Sequence, residues 1–79
     1  MGVIQVRYFA GAAEAAGVDV EQREAGSVDQ VCAAMVEAHP ALAGVLGRCA
    51  LLADGVRVTG ADAVTAGVTL DVLPPFAGG

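Results

Sequence analysis

No lysine occurs in this chain, and its positive charge rests on four arginines, Arg7, Arg23, Arg48 and Arg57, against nine acidic residues. A net charge of −5 and a pI near 4.4 exclude a basic surface of the kind that binds nucleic acid or an anionic membrane. A basic protein partner suits this balance better. His39 is the single histidine, and Cys32 and Cys49 stand too far apart for a paired-cysteine metal motif, so a zinc site is not expected. Both cysteines read as small core residues. Nothing resembles a phosphate-binding Walker loop. Neither a signal peptide nor a membrane span is expected, because the first residues run straight into a strand pattern without a basic region and a long apolar stretch. The expected location is the cytoplasm. Aromatic residues make up only 4% of the chain although 56% is hydrophobic, so a core must be assembled from small pieces, and a sheet covered by one helix suits such material. With 79 residues the chain has room for one such core.

What is present begins with alternation. In the run from Val3 to Phe9, Ile4, Val6 and Tyr8 face one way as core, while Val3, Gln5, Arg7 and Phe9 face the other. Phe9 is a large ring on a mostly polar face, covered by the next loop or left open for a partner. Gly11 to Gly17, alanine-rich and bounded by glycines, suits a loop or a single helical turn. Val18 to Arg23 returns as an edge strand with Val18 and Val20 as its weak apolar face and Asp19, Glu21 and Arg23 as charges against edge pairing. Ser27 and Gln30 form a capping box, after which Val28, Val31, Cys32, Met35 and Val36 make one buried helical stripe. Pro40 ends the helix near His39, whose expected role is at the helix carbonyl end. Ala41 to Leu46 is a short apolar turn carrying Leu42, Val45 and Leu46. Asp54-Gly55, between Cys49–Ala53 and Val56–Val58, signals a tight hairpin. Val64 anchors the connection from Gly60 to Gly67, and Val68 to Leu73 alternates as the last strand with Val68, Leu70 and Val72 inward.

This order, strand, strand, helix, strand, strand, strand, predicts an α+β fold. A right-handed crossover places the first and last strands side by side and parallel, with the helix across one face of a mixed sheet of about five strands, the β-grasp arrangement. The division expected is a domain over residues 1–73 and an extended tail over residues 74–79. Pro74 and Pro75 stop the strand and stiffen its exit, and Gly78 and Gly79 form an end slim enough to lie in a channel barely wider than backbone. Fully extended, the segment after Leu73 reaches roughly 20 Å. The reactive group expected is the carboxylate of Gly79. Phe9 and Leu73, at the ends of adjacent parallel strands and away from the helix, join Phe76 in an apolar partner-binding patch at the root of that tail. No nucleophile with a base, metal set or phosphate loop can be assembled, so an enzyme acting by itself is not expected.

The runs Val6-Arg7-Tyr8-Phe9-Ala10, His39-Pro40-Ala41-Leu42 and Leu73-Pro74-Pro75-Phe76-Ala77-Gly78-Gly79 carry a resemblance that covers the whole chain. On them the chain resembles the MoaD/ThiS type of ubiquitin-like sulfur carrier, and most of all the MoaD family of molybdopterin synthase small subunits. The resemblance implies that Gly79 is adenylated by an E1-like adenylyltransferase using ATP, converted to a thiocarboxylate with sulfur from a donor protein, and inserted into the large catalytic subunit. There it gives sulfur to cyclic pyranopterin monophosphate in molybdenum cofactor synthesis. No cofactor is then bound by this chain itself, Gly78, Ala77, Pro75 and Pro74 form the tail, and Phe9, Leu73 and Phe76 meet partners. The chemistry fits these residue types. A free α-carboxyl group has a pKa of about 3.5, so at neutral pH it is an unreactive anion that must be activated before sulfur can attack. The alternatives are a carrier for thiamine or cysteine synthesis and a ubiquitin-like modifier or interaction domain.

Overall fold

The computed structural model describes residues 2–75. The first strand, β1 (Val3–Tyr8), alternates as its sequence demands, with Ile4, Val6 and Tyr8 buried and Val3, Gln5 and Arg7 outward. The last strand, β7 (Thr69–Leu73), buries Leu70 and Val72 by the same rule. These two pair in parallel from Gln5 opposite Thr69 to Tyr8 opposite Val72 and form the centre of the sheet. Around them lie β2 (Val20–Glu24), β4 (Ala50–Ala53) and β5 (Val56–Arg57), giving the order β2-β1-β7-β4-β5. All other pairings in this sheet are antiparallel. The arrangement is the β-grasp one, α+β with a mixed five-stranded sheet, that the sequence predicts.

Helix α2 (Val28–Ala38) crosses the buried face and places Val28, Val31 and Met35 in the core, with Cys32 and Val36 half-buried at its margin. Its start is satisfied twice over. The Ser27 hydroxyl accepts from the Gln30 amide at 3.1 Å, and the Gln30 side chain accepts from the Ser27 amide at 2.9 Å. The next two orphan amides, of Val28 and Asp29, donate to the carbonyls of Asp62 and Gly60 at 2.9 Å each. The connection between the hairpin and β7 therefore serves as a cap as well as a link. It also supplies β6 (Ala63–Val64), which pairs with β3 (Gly26–Ser27) in a small second sheet and sinks Val64 into the core. Val64 is the expected anchor. The second sheet was not legible in two-residue strands.

Three local expectations are revised. The Gly11–Gly17 stretch is not a loop or single turn but part of α1 (Ala10–Ala16), a seven-residue helix that buries Ala12 and Ala16. Alanine is the best helix former, and burial of two methyl faces against the core adds what so short a helix needs. Gly17, in left-handed geometry at φ 77°, ends it by donating to the carbonyl of Ala13. In β2 the faces are reversed from expectation: Val20 is exposed, whereas Glu21 and Arg23 sit opposite Val6 and Ile4 on the helix side. That inversion is possible because both charges find partners there. The strand is still a sheet edge. Finally, His39 does not serve the helix carbonyls through its ring, which turns instead to Glu21.

The Asp54-Gly55 turn has positive φ at both positions, 47° and 84°, as a tight hairpin of this hand requires. Asp54 also reaches across to β7, where its Oδ1 accepts from the Thr69 amide at 2.9 Å. That bond pins one end of the last strand. Its other end carries the candidate site.

Candidate functional site

Because β1 and β7 are parallel and in register, they finish at the same pole of the molecule. The Phe9 amide donates to the carbonyl of Val72 at 3.2 Å, so the chain leaves β1 still attached to the last strand. Phe9 itself has extended backbone and stands immediately before α1, which turns the chain away and leaves the ring 37% exposed. Leu73 ends β7 half-buried, paired across to Ala50, on the same side as Thr69 and Asp71. The structure thus brings Phe9 and Leu73 to neighbouring strand ends on the face opposite α2. Half-buried Pro74 and exposed Pro75 follow, and with Gly44, Val45 and Arg48 they line a shallow groove. Phe76, Ala77, Gly78 and Gly79 lie outside the described residues.

Beside Phe9 sits a feature that residue types alone did not reveal. Arg7 forms a two-pronged ion pair with Asp71, Nε to Oδ1 at 2.7 Å and Nη2 to Oδ2 at 2.9 Å, and its guanidinium carbon lies 5.5 Å from the centre of the Phe9 ring. The hydrogen bond to Asp71 holds Arg7 still more firmly in its charged form. Its contribution is orientation rather than stability, since the pair is open to solvent. The signal existed as opposite charges on outward positions of two strands, but it could be read only once the register set Arg7 opposite Asp71.

On the helix side of the same strands, Glu21 gathers three donors. It accepts from the Tyr8 hydroxyl, from Arg23 Nη2 at 3.0 Å and from His39 Nε2 at 3.0 Å. Burial pushes the Glu21 carboxyl up, but the hydrogen bonds from Tyr8 and His39 and the charge of Arg23 outweigh it, so the net shift is downward. Burial and the neighbouring carboxylate together raise Tyr8 far above an ordinary phenol. The His39 ring stands edge-on to Tyr8 at 6.2 Å between centroids. This cluster closes the rim of the core beneath the edge strand, and nothing in it faces the tail groove.

Burial raises both thiols above their ordinary range; Asp29 and Cys49 add to the effect at Cys32, and Cys49 donates to the carbonyl of Val45 at 3.3 Å. They are protonated, half-buried groups at neutral pH. Among the described residues no cluster of three or more ligating side chains is placed to hold a metal ion, and no helix is long and apolar enough to cross a membrane. What the site offers chemically is presentation: an exit from the sheet stiffened by two prolines, with an exposed ring and a half-buried leucine at its base.

A mixed sheet with a parallel central pair and a helix across one face defines a ubiquitin-like β-grasp protein. The ThiS family model matches residues 6–79. A molybdopterin synthase sulfur carrier subunit from Chlamydomonas reinhardtii is 36% identical over 81 residues, covering 96% of this chain and 98% of that protein. The chain belongs to the ThiS family, with the MoaD-type carriers among its relatives. Among solved structures, SAMP1 from Haloferax volcanii is similar at 30% identity and a TM-score of 0.87, covering 99% of this chain and 100% of that one. A chain in the complex of subunits 1 and 2 of the molybdopterin-converting factor from Helicobacter pylori shares the fold, at 20% identity and a TM-score of 0.70, covering 98% and 99%.

Proposed function

We propose that this chain is the sulfur-carrier small subunit of a molybdopterin synthase. Its Gly79 carboxylate is adenylated by an E1-like, ATP-using enzyme, exchanged for a thiocarboxylate with sulfur from a donor protein, and presented to the large catalytic subunit. There the sulfur passes to cyclic pyranopterin monophosphate. The observation that carries this reading is the likeness to the Chlamydomonas reinhardtii sulfur carrier subunit over 96% of this chain, joined by a family match that runs from residue 6 to residue 79 and so takes in the tail. The geometry is in keeping with it. A carrier needs little beyond a reachable carboxyl group and a docking face, because its partners supply acid, base and nucleotide. Pro74 and Pro75 start the tail at the sheet's end, beside Phe9 and Leu73 as the apolar contact for partners and with Phe76 following. The reading places the protein in the cytoplasm, where ATP and the activating enzyme are found.

The direct test is incubation with an E1-like activator, ATP and a sulfur source, followed by intact mass. Replacement of one oxygen by sulfur at Gly79 is expected. A chain whose mass is unchanged although the activator turns over a known carrier contradicts the reading, and recovery of the chain only as an amide on target lysines assigns it to the modifiers instead.

A further inference from the structure

An activated carboxyl terminus is an acylating agent, and a protein that bears one is exposed first to its own nucleophiles. Primary amines are the dangerous ones, because an amide once formed is not reversed by thiols. This chain has no lysine at all, and every side-chain cation is an arginine. The placement matters as much as the count. Arg48 is exposed and lines the groove with Pro74 and Pro75, and three residues separate Pro75 from Gly79, so a fully extended chain carries the terminal carbonyl at most about 14 Å from Pro75. A positive charge thus stands at the tail's base in a delocalised guanidinium, which has no free lone pair to attack with. Gly2, the first described residue, is remote from that groove. Gly2 bonds Ala25 through its carbonyl, beyond the opposite end of β1, whose six residues span roughly 20 Å.

The remaining nucleophiles near this pole are also withheld. The Tyr8 hydroxyl is spent on Glu21, and the Cys49 thiol is bonded to Val45 and kept protonated by burial. We infer that, among the described residues, the surface within reach of the activated terminus is free of acylatable side-chain amines, with Arg48 providing charge there without a lysine amine, so that the carrier neither cyclises through a side chain nor becomes the lysine acceptor of another copy. This inference rests on the reading of Gly79 as the activated end. The avoided step is simple: an amine nitrogen bonds to the Gly79 carbonyl carbon, the bond from that carbon to the leaving group breaks, and the leaving group departs while the nitrogen loses a proton.

The test needs no partner enzyme, so its failure is separable from failure of the sulfur-carrier reading. The full chain is prepared with Gly79 as a C-terminal thioester, alongside Arg48→Lys and Thr65→Lys, the latter exposed at the far pole where β7 begins. Intact mass is followed at mildly alkaline pH, with a dithiol quench that reverses thioesters but not amides. Wild type is expected to hydrolyse without any amide product. Arg48→Lys is expected to lose the thiol to a concentration-independent internal amide at least about tenfold faster than Thr65→Lys, since a short tether gives millimolar effective concentration. Dithiol-resistant amide in the wild type, or equal rates in the two lysine variants, overturns the inference. Circular dichroism of each variant confirms that the fold is shared.

Discussion

Phe9 is held open by its neighbours rather than by chance. Its amide is tied to Val72, α1 begins immediately after it, and Arg7, itself fixed by Asp71, covers part of the ring. Such a preset aromatic has little left to lose in entropy when a partner covers it, the usual condition of a binding hot spot. Phe9→Asp is therefore expected to weaken association with the large subunit at least about tenfold, measured by calorimetry, while the thermal midpoint of the isolated chain changes little. Glu21 makes a separate prediction. Its pKa is lowered in the folded state, so the stability it contributes is present above its unfolded value and is lost as pH falls through the folded one. Thermal melts below about pH 5 should show the wild type losing stability more steeply than Glu21→Gln, whose side chain does not titrate. Identical acid limbs would show that the cluster with Tyr8, Arg23 and His39 does not couple to folding.

At the scale of elements, legibility followed periodicity. The alternation of Ile4, Val6 and Tyr8, and of Leu70 and Val72, together with the capping box at Ser27, is enough to place the sheet, the helix and the parallel pair, because burial on one face fixes each register. Phe9 and Leu73 could be set side by side on that basis. What escaped depended on contacts that periodicity does not encode. The β3–β6 pairing needs only two residues on each side, α1 is fixed by packing of its alanines, and the inward turn of Glu21 and Arg23 needs Tyr8 and His39 to receive them. The Arg7–Asp71 pair belongs to the same group, being a matter of register and not of residue type. The capping box offers a check: Ser27→Ala removes the acceptor for the Gln30 amide and should cost about 1 kcal/mol, a drop of about 5 °C in thermal midpoint for a domain of this size. An unchanged midpoint would mean that the carbonyls of Asp62 and Gly60 suffice to start α2.

On the proposed function, the molecule separates what folds from what reacts. The core draws on both central strands, α2, Leu42 and Val64, whereas the proposed chemistry is confined to a six-residue tail that follows the last strand. Adding one residue after Gly79 should then abolish sulfur transfer and leave the melting curve of the domain nearly unaltered. The measurement that bears most directly on the central claim is a single-turnover reaction of the thiocarboxylated chain with its large subunit and cyclic pyranopterin monophosphate, following the chain by intact mass and the pterin by its product. The account predicts that the sulfur of Gly79 is replaced by oxygen as sulfur appears in the pterin, and that the extended chain yields neither change. Product formed while the thiocarboxylate stays intact, or formed equally well with the extended chain, would contradict it.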